Sequence, residues 1–562
     1  MNTPAKPAAG TPRTAARALV DCLLAQQVTL AFSVAGESYL AVLDALHDVS
    51  DRLRLVTCRH EASAANMAEA TGKLTGRPGV CFVTRGPGAT HASIAIHTAQ
   101  QDATPMVLFV GQIARQDRGR DAFQEVDYDA MFGNVAKWVV EVRDPERMPE
   151  LVTQAFAIAV DGRPGPVVVS LPEDVLEEPC TLPAGPFAAR LARPLDADTS
   201  REVAGLLATA ERPLLWVGGS GWRAAGIAAL EAFATRWQLP VASAFRRKDL
   251  FPNGHPGYVG EFGFAVGGGA AKALTEADLL LAVGTSLGDV ETGGYTRLDP
   301  GTSAARLVHI AMRPQDAGRT FPAKLRAAAS PDEAMISLAA LPAPSSPAWA
   351  DWTRATRALY ERDQLPVPVT GDVNPSEVFH ELRRQLPDDA IVTNGAGNYA
   401  AWLHRFFEHR RFPTQLAPQS GAMGYGVPAG IAAALLHPDR RVVTAAGDGC
   451  FMMSANEIVT AAATGARVVF LVFNNGSFGT IRMHQETRFP GRTVGTNLVN
   501  PDFVALAAAC GIAGERVTAT AGFGPALARA LAADGPRLIE LVTSVEDIAP
   551  GRRLSTLGNR AG

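Results

Sequence analysis

The sequence lacks the features that mark membrane proteins, disulfide-rich proteins and nucleic-acid-binding proteins. Its longest apolar runs, such as Val468–Phe473 and Leu279–Val283, have the length of strands and are far too short to span a membrane. Its six cysteines are widely scattered without a CxxC pair, which is typical of reduced core thiols and disfavours a zinc site. The 52 Lys and Arg nearly balance the 56 Asp and Glu, which excludes a protein built around nucleic-acid phosphates.

The start of the chain also lacks the charged-then-apolar pattern of a signal peptide, and Met1–Thr14 is predicted to be a frayed tail. The 562 residues are 47% apolar and 19% charged, which is enough material for large buried cores. At roughly 100–200 residues per domain, this length predicts three or four domains. We therefore predict a large cytoplasmic α/β protein without a nucleic-acid or membrane partner.

Short β-branched runs alternate with Ala-rich helical stretches, which is typical of parallel sheets joined by crossover helices. Two proline-rich stretches, Pro172–Pro194 and Leu341–Pro368, are interpreted as linkers, the second with a short helix around Trp349–Arg362. The predicted fold is three doubly wound parallel-sheet domains, which span residues 14–180, 196–340 and 373–550.

Each of the three blocks contains several segments that we predict to be strands. In the first block they are Arg54–Thr57, Gly79–Thr84 and Met106–Val110, with helices at Glu61–Leu74 and Ala89–Gln100. In the second block they are Pro213–Val217, Pro240–Ala242, Leu279–Val283 and Arg306–Ile310. In the third block they are Ala390–Thr393, Arg441–Ala445, Arg467–Phe473 and Pro536–Leu541.

The most informative stretch is Arg441–Ser477, which is predicted to run as strand, tight glycine turn, helix and strand. Ser454 and Glu457 have the spacing of a capping box, which predicts that the helix starts at Ser454 or the next residue. Asp448 and Asn475 then follow the ends of neighbouring parallel strands, where open α/β sheets bind their ligands.

An acid and an amide at that sheet edge predict a site for a cation and a phosphate. Asp448 and Asn475 can both offer oxygens to one Mg²⁺, which usually shares its ligands with phosphate. Gly447 and Gly449 allow the backbone to approach closely, and the amides of Gly449 and Cys450 can donate to a phosphate oxygen. The alternative is a pair of glycine turns without a ligand.

The GDG and NN motifs at this spacing resemble the thiamine diphosphate signature of the pyruvate-decarboxylase-like enzymes, and GDGCFMMSANEIVTA resembles the acetolactate synthase branch. The resemblance implies that Asp448, the Asn475 side chain and the Ser477 carbonyl bind Mg²⁺, which in turn holds the cofactor diphosphate. It also implies that the three domains are pyrimidine-binding, central and diphosphate-binding. In this family the site lies between two subunits, so the resemblance implies a homodimer or homotetramer.

Residues Arg59–Gln112 resemble the matching segment of acetolactate synthases, and this match implies that Glu61 is the activating glutamate. Thiamine diphosphate works as a carbanion sink only after its thiazolium carbon loses a proton. A carboxyl that is hydrogen-bonded to the pyrimidine ring favours the imino tautomer, whose exocyclic nitrogen takes that proton. The match also implies that Gly86 lines the cofactor cleft and that Gln124 is a polar contact above the reacting carbon. Without the family, Glu61 would be a first-turn acid that favours the helix dipole.

Two further segments match cofactor-binding loops of the family. In QSGAMGYGVP the resemblance implies that Met423 wedges between the two cofactor rings and that the Gly421 carbonyl accepts a hydrogen bond from the exocyclic amine. The alternative for Met423 is a core position, as for most methionines. TNGAGNYAAW matches the diphosphate loop and nominates Asn398 and Tyr399, where the synthases carry other polar residues.

The central block and the substrate positions depart from true acetolactate synthases. VGGSG after an apolar strand is an incomplete nucleotide loop. The central domain binds FAD in acetolactate synthases and binds ADP or stays empty in other relatives, so the resemblance implies FAD only as a less favoured expectation. Val290 stands where the synthases carry the arginine that grips the second 2-oxo acid, and valine cannot make that bidentate contact. His484 stands where they carry a tryptophan. Arg85, Arg482 and His484 are therefore candidate ligands of a substrate anion, although Arg85 could instead pair with a neighbouring acid.

The predicted function is a thiamine diphosphate- and Mg²⁺-dependent enzyme that decarboxylates a 2-oxo acid, joins the resulting carbanion to a second carbonyl, or does both. One alternative is a lyase of 2-hydroxyketones, similar to benzaldehyde lyase, and another is a diketone hydrolase, neither of which decarboxylates. The non-enzyme alternative is a non-catalytic nucleotide-binding protein that retains the fold. The sequence of the C-terminal tail, Ile548–Gly562, shows no motif that assigns it a role.

Overall fold

The computed structural model describes residues 12–264 and 266–557. Within them it contains three six-stranded parallel sheets and one two-stranded antiparallel sheet. The chain forms two compact units, Met1–Leu191 with one of the large sheets and Ala192–Gly562 with the other two. Helices flank each large sheet, so the predicted α/β class with three parallel sheets is confirmed, while the domain boundaries stay predictions.

The first unit contains eight strands and seven helices among its described residues. The strands are β1 (Arg13–Thr14), β2 (Leu30–Ser33), β3 (Arg54–Thr57), β4 (Gly79–Val83), β5 (Met106–Gln112), β6 (Trp138–Glu141), β7 (Pro166–Pro172) and β8 (Pro179–Cys180). The helices are α1 (Ala15–Ala25), α2 (Leu40–His47), α3 (Glu61–Thr75), α4 (Pro87–Asp102), α5 (Tyr128–Phe132), α6 (Met148–Val160) and α7 (Glu173–Glu177). The large sheet has the order β3-β2-β4-β5-β7-β6.

Local sequence explains why α3 and α4 begin where they do. Every residue of β4, β5 and β7 is buried, as expected for central strands of a parallel sheet. The His60 side chain caps α3 by accepting a hydrogen bond from the Ala62 amide at 3.1 Å. Pro87 stands at the first position of α4, after Gly86 in a left-handed conformation with φ +58°. Glu61 is therefore the first residue of α3, directly after the His60 cap.

The predicted linker Pro172–Pro194 is wrong in its first half. Pro172 ends β7, the acids that follow form the first turn of α7, where they favour the helix dipole, and Pro179 stands in β8. β8 pairs with β1, so the last two residues of the predicted frayed tail, Arg13–Thr14, are a strand. Residues 1–11 of that tail lie outside the described residues.

The central part of the second unit has the sheet order β11-β10-β9-β12-β13-β14. Its strands are β9 (Pro213–Val217), β10 (Val241–Ser243), β11 (Tyr258–Glu261), β12 (Leu279–Val283), β13 (Leu307–Ala311) and β14 (Leu325–Ala328). Its helices are α8 (Ala197–Ala208), α9 (Ala224–Trp237), α10 (Gly268–Glu276), α11 (Asp289–Thr292), α12 (Pro300–Arg306), α13 (Pro331–Ala339) and α14 (Ala350–Asp363). The short helix predicted in the second linker is α14.

The last part of the chain has the sheet order β16-β15-β17-β18-β20-β19. Its strands are β15 (Ile391–Asn394), β16 (Gln415–Leu416), β17 (Val442–Gly447), β18 (Val468–Asn474), β19 (Ala513–Val517) and β20 (Arg537–Val542). Its helices are α15 (Pro375–Gln385), α16 (Asn398–Phe406), α17 (Gly426–Leu436), α18 (Asp448–Met452), α19 (Ile458–Thr464), α20 (Gly479–Arg488), α21 (Phe503–Ala509), α22 (Thr520–Ala532) and α23 (Leu554–Leu557).

The predicted helix start is confirmed, but the capping box is wrong and α18 was not predicted. A turn of 3-10 helix, Ala455–Glu457, has Ser454 at its N-cap without a side-chain hydrogen bond and runs into α19, whereas α18 begins directly at Asp448. The Ser454 hydroxyl donates to the Gly424 carbonyl at 2.8 Å, and the Glu457 carboxylate accepts from the Thr460 hydroxyl at 2.7 Å. The three-residue spacing of Ser454 and Glu457 in the sequence does not reveal either of these hydrogen-bond partners.

The structure agrees with two of the exclusions drawn from composition. All six cysteines are free thiols, and five of them are buried. Among the described helices, none combines the length and the apolar character that a membrane crossing requires.

Candidate active site

Four parallel strands of the last sheet, β15, β17, β18 and β20, end at a cavity of about 220 Å³. The residues that follow these strands form much of its wall, together with the first turn of α20 and the loop before α17. Ten residues predicted from the sequence line this cavity: Asn398, Tyr399, Gly421, Met423, Gly447, Asp448, Gly449, Cys450, Asn475 and Ser477. The fold therefore collects side chains from four separate segments at the carboxyl edge of one sheet.

Asp448 is the buried charge of this cavity, with only 2% of its surface exposed. One carboxylate oxygen accepts the Gly449 amide at 2.8 Å, and the other accepts the Gly476 amide at 2.8 Å and the Asn500 side chain at 2.7 Å. Burial raises the pKa of Asp448 above its ordinary value, while these donors act in the opposite direction. A bound cation would favour the ionised carboxylate further, so the donor set fits a metal ligand.

The two asparagines of the NN motif have different surroundings. Asn474 ends β18 and donates to the Glu540 carboxylate at 2.8 Å, so it joins neighbouring strands. Asn475 lies past the strand end at the cavity wall, where its side-chain oxygen accepts the Ser477 amide at 3.1 Å. The Ser477 carbonyl accepts the Gly479 amide at 2.9 Å. Asn475 and Ser477 thus lie beside Asp448, as the motif predicted.

Asn500 is a site residue that the sequence analysis missed. Its side chain donates to Asp448 at 2.7 Å and to the side-chain oxygen of Asn474 at 3.0 Å, so it joins the two motifs. It lies in an irregular segment between α20 and α21, where no periodicity marks it. The one local signal is the Asn-Pro pair that it forms with Pro501, which indicates a turn.

The glycines of the GDG motif make room for aromatic rings. A Cβ atom at Gly447 would lie 2.9 Å from the Tyr399 ring, and one at Gly449 would lie 2.5 Å from the Phe478 ring. The Gly449 amide already donates to Asp448. The structure therefore gives these glycines a packing role in addition to the close backbone approach predicted from the sequence.

Tyr399 and Cys450 connect three loops around the cavity. The Tyr399 hydroxyl accepts the Gly395 amide at 3.0 Å and lies 3.3 Å from the Cys450 sulfur, which accepts the Gly424 amide at 3.3 Å. Burial raises the pKa of Tyr399 well above its ordinary value, so its hydroxyl stays protonated. These contacts fix the loop that carries Met423. The Met423 side chain is half-buried and packs against the apolar cluster to which Tyr399 and Cys450 belong.

The wall on the other side of the cavity is held by Asn398. Its side chain donates to the Ile548 carbonyl at 2.9 Å and accepts the Thr480 hydroxyl at 2.8 Å. The neighbouring Asp547 carboxylate accepts both the amide and the hydroxyl of Thr370, at 2.8 and 2.9 Å. The start of the predicted C-terminal tail therefore lines the cavity, while residues 558–562 lie outside the described residues.

Two of the candidate substrate residues do not line the cavity. Arg482 and His484 lie on α20, where the Arg482 guanidinium donates to the Asn497 side chain at 3.1 Å and His484 is exposed. Only the first turn of that helix faces the cavity.

In the first unit, Glu61 and Gln124 have distinct neighbours. The Glu61 side chain is 14% exposed, and one of its carboxylate oxygens lies 2.9 Å from Nδ1 of His91. Gly86 donates its amide to the Tyr128 hydroxyl at 3.0 Å. A Cβ atom at Gly86 would lie 3.0 Å from the Cβ of Gln124, which itself has a left-handed φ of +63°. The structure thus brings Gly86 and Gln124, from two different loops, into contact.

Arg85 is paired with acids of its own unit. The side chain is buried, and its guanidinium donates to Glu173 at 2.6 Å and to Glu37 at 3.4 Å. This geometry agrees with the alternative that the sequence left open for Arg85.

In the central sheet, close packing against neighbouring residues explains the glycines of VGGSG. A Cβ atom at Gly219 would lie 2.0 Å from the Gly284 carbonyl, so the two strand-end loops touch there. Val290 lies half-buried on α11. The next residue, Glu291, is a buried carboxyl that accepts the Thr285 hydroxyl, and burial raises its pKa to about 7.

Three family models match the chain. They are "Thiamine pyrophosphate enzyme, N-terminal TPP binding domain" at residues 13–131, the corresponding "central domain" at residues 200–338, and the "C-terminal TPP binding domain" at residues 395–541. Each match falls on one of the three large parallel sheets, and the last includes most of the residues that line the cavity.

Full-length relatives are similar to the chain over nearly all of it. The acetolactate synthase large subunit of Parasynechococcus marenigrum is 34% identical over 95% of this chain and 88% of its own length. The acetolactate synthase large subunit of Corynebacterium glutamicum is 32% identical over 92% of this chain and 84% of its own length. The probable acetolactate synthase large subunit of Methanocaldococcus jannaschii is 30% identical over 96% of this chain and 94% of its own length.

Proposed function

The chain belongs to the thiamine pyrophosphate enzymes of the acetolactate synthase type and is a thiamine diphosphate-dependent carboligase or decarboxylase, and from this premise we propose its metal, its site residues and its reaction. The enzyme depends on Mg²⁺ as well as on thiamine diphosphate. It decarboxylates a 2-oxo acid and either releases the aldehyde or ligates it to a second carbonyl compound.

The observation that carries this proposal is the buried Asp448 carboxylate beside Asn475 and Ser477 at the end of two parallel strands. A buried carboxylate needs a counter-charge or several donors, and oxygen ligands of this kind are those that Mg²⁺ prefers. Asp448, the Asn475 side chain and the Ser477 carbonyl would hold the metal, which binds the cofactor diphosphate. Gly447, Gly449 and Cys450 would contact the same diphosphate, as would Asn398 and Tyr399.

When bound, thiamine diphosphate supplies the carbon nucleophile and electron sink for cleaving or forming a bond next to a carbonyl. The chain's own residues position it. Met423 would support the bent shape of the cofactor, and the Gly421 carbonyl would accept a hydrogen bond from its amine. Glu61 would hold or release a proton at the pyrimidine ring, Gly86 would line the cofactor cleft, and Gln124 would be a polar contact near the reacting carbon.

We propose a homodimer or homotetramer in which the site lies between subunits. Several large apolar side chains are exposed on the single chain and would be available for burial against another subunit. In the first unit these include Leu40 at 62% and Phe123 at 73% exposure, and in the second Phe489 at 60% and Val494 at 77%. Gel filtration with light scattering tests the oligomer. A cytoplasmic location stays a prediction, and flavin absorbance of the purified protein tests the less favoured expectation of FAD.

Two candidate substrate positions give a second reaction some support. Val290 cannot bind a carboxylate, and the guanidinium of Arg85 is paired with Glu173 and Glu37. A second substrate without a carboxylate fits this better than a second 2-oxo acid. A lyase of 2-hydroxyketones, or a hydrolase of diketones, is therefore the alternative reaction.

The deciding experiment incubates the holoenzyme with a panel of 2-oxo acids and 2-hydroxyketones and identifies the products. Release of CO₂ from a 2-oxo acid, dependent on both thiamine diphosphate and Mg²⁺, supports the first reaction. Cleavage of a hydroxyketone without CO₂ would replace it with the alternative. Added cofactor and Mg²⁺ are also expected to raise the melting temperature, because they bind the native state. An unchanged melting temperature at saturating cofactor would contradict the proposed site.

A further inference from the structure

His91 lies against the carboxylate of Glu61 in a way that the sequence analysis did not predict. α3 begins at Glu61 and α4 carries His91 in its second turn, and the two helices pack along each other. Nδ1 of His91 lies 2.9 Å from Oε2 of Glu61. The carboxylate has a second oxygen, Oε1, so this contact leaves one oxygen of Glu61 to act on a ligand.

The two side chains differ in their access to water. The Glu61 side chain is 14% exposed, whereas that of His91 is 52% exposed. Imidazole is the side chain best suited to take up and release protons near neutral pH, and each of its two nitrogens can hold one. In the single chain, a half-exposed histidine with one nitrogen on a shielded carboxylate can carry a proton between that carboxylate and water.

We propose that His91 is a positioning residue for Glu61 and the route by which Glu61 exchanges protons with solvent. This inference rests on the proposed role of Glu61 as the activating carboxylate. The hydrogen bond to Oε2 fixes the orientation of the carboxyl group, so that Oε1 faces the pyrimidine nitrogen. When Glu61 loses its proton, the proton passes from Oε2 of Glu61 to Nδ1 of His91, and Nε2 of His91 releases a different proton to water. The reverse transfers return a proton to Glu61.

The neighbouring His60 offers a different reading, in which the three side chains bind a metal. Their ligand atoms lie within 4.8 Å of one another, and the rings of His60 and His91 are 4.6 Å apart. However, Nδ1 of His60 already accepts the Ala62 amide that caps α3. The contact of His91 with Glu61 has the length of a hydrogen bond. The geometry therefore fits a proton-sharing pair, with His60 fixing the start of the helix.

The test measures proton exchange directly and needs no substrate. The rate of hydrogen–deuterium exchange at the thiazolium carbon is measured in holoenzyme with thiamine diphosphate and Mg²⁺, by acid quench and NMR. His91→Ala is expected to lower this rate about tenfold to a hundredfold, because it removes both orientation and proton transfer. His91→Gln retains a hydrogen-bond donor but has no second ring nitrogen to pass a proton on, so it is expected to recover part of the rate.

The control is His97→Ala, which removes an exposed histidine from the same helix. Its exchange rate is expected to equal that of the wild type. Melting curves with and without cofactor accompany every variant, and a cofactor-induced shift close to that of the wild type shows that His91→Ala still folds and binds. A crystal structure of the cofactor-free His91→Ala variant is expected to show the Glu61 carboxylate displaced from its wild-type orientation.

Glu61→Gln separates this inference from the function on which it rests. If Glu61→Gln abolishes exchange and His91→Ala slows it, then the double variant is expected to match Glu61→Gln alone, because His91 acts through Glu61. If Glu61→Gln abolishes exchange while His91→Ala and His97→Ala both exchange like the wild type, the role of His91 is overturned and that of Glu61 stands. If Glu61→Gln exchanges like the wild type, both are overturned.

Discussion

The carboxyls of Asp448 and Glu61 are both central to the proposed site, yet they are held in opposite ways. Asp448 is 2% exposed and accepts two backbone amides and the Asn500 side chain. Glu61 has the half-exposed His91 ring on one oxygen. Several fixed donors keep a carboxylate ionised and immobile, which suits a metal ligand. A single imidazole partner, which can either donate or accept a hydrogen bond, suits a group that must gain and lose a proton.

The largest expected effect comes from removing the negative charge of Asp448, the carboxyl that is held by several fixed donors. Asp448→Asn should abolish measurable turnover and the thermal shift on adding thiamine diphosphate and Mg²⁺, because the amide cannot neutralise a cation. Calorimetry with the cofactor and Mg²⁺ measures the binding. Asp534→Asn, at an exposed aspartate of the same unit, is the matched control. Normal cofactor binding by Asp448→Asn would show that rigidity at Asp448 serves the fold alone.

A third carboxyl sharpens the comparison, because Glu291 is buried with the Thr285 hydroxyl as a donor and burial raises its pKa from 4.5 to about 7. The folded state then holds a proton that the unfolded state releases, so stability falls as pH rises from about 4.5 to 7. Glu291→Gln should remove this loss and gain about 3 kcal/mol of unfolding free energy above pH 7, with little difference below pH 4.5.

Denaturant unfolding at several pH values measures this difference, which is taken relative to the wild type so that other titrating groups cancel. Glu276→Gln, at an exposed glutamate of the same sheet region, should show no such pH dependence. A constant difference between Glu291→Gln and the wild type from pH 4.5 to 8 would contradict the raised pKa.

A smaller effect is expected from loosening Asp448 without removing it. Asn500→Ala deletes the 2.7 Å donor to Asp448 and the link to Asn474. We expect the apparent affinity for Mg²⁺ to fall about 10-fold to 100-fold, since partners that orient a metal ligand have effects of this size. Titration of activity with Mg²⁺ at saturating cofactor measures it. Asn497→Ala, in the same segment, is the control, and equal Mg²⁺ affinity in both variants would mean that Asn500 does not orient Asp448.

The smallest expected effect tests how tightly the residues beside Asp448 are packed. Gly449→Ala would place a Cβ atom 2.5 Å from the Phe478 ring and should lower the unfolding free energy by about 1–3 kcal/mol. Gly205→Ala, in α8 with open space around it, should instead raise it by about 0.5–1 kcal/mol. Thermal or denaturant unfolding measures both. A neutral Gly449→Ala variant would show that the Phe478 ring moves easily.

Much of the architecture could be predicted from the sequence because the central strands are continuous apolar runs. The strands at 54–57, 213–217 and 279–283 match the structure at both ends, and the other predicted strands agree within two residues. The search for continuous apolar runs did not find β19, because the charged residues Glu515 and Arg516 stand within that strand. These charges pair with Arg529 and Glu540 from neighbouring elements, so they belong to an edge strand although they suggest a loop.

The site was predictable to the extent that its chemistry lies in local motifs. Asp448 and Asn475 were found because each follows an apolar strand, and the fold places strand ends together. Asn500 and His91 were missed because their partners lie 52 and 30 residues away along the chain, and no local spacing encodes such a contact. The capping box after the GDG motif failed for the same reason, since Ser454 and Gly424 meet only in the folded chain.

The packing of Gly449 under the Phe478 ring also limits the order in which this sequence can change during evolution. A larger residue at position 449 would meet both the Phe478 ring at 2.5 Å and the Leu498 side chain at 3.0 Å, so it becomes easier to accommodate once the ring at 478 has been replaced by something smaller. The reverse order passes through a crowded, less stable ancestor that selection would remove. Descendants with a smaller residue at 478 are therefore the ones in which the central motif could diversify.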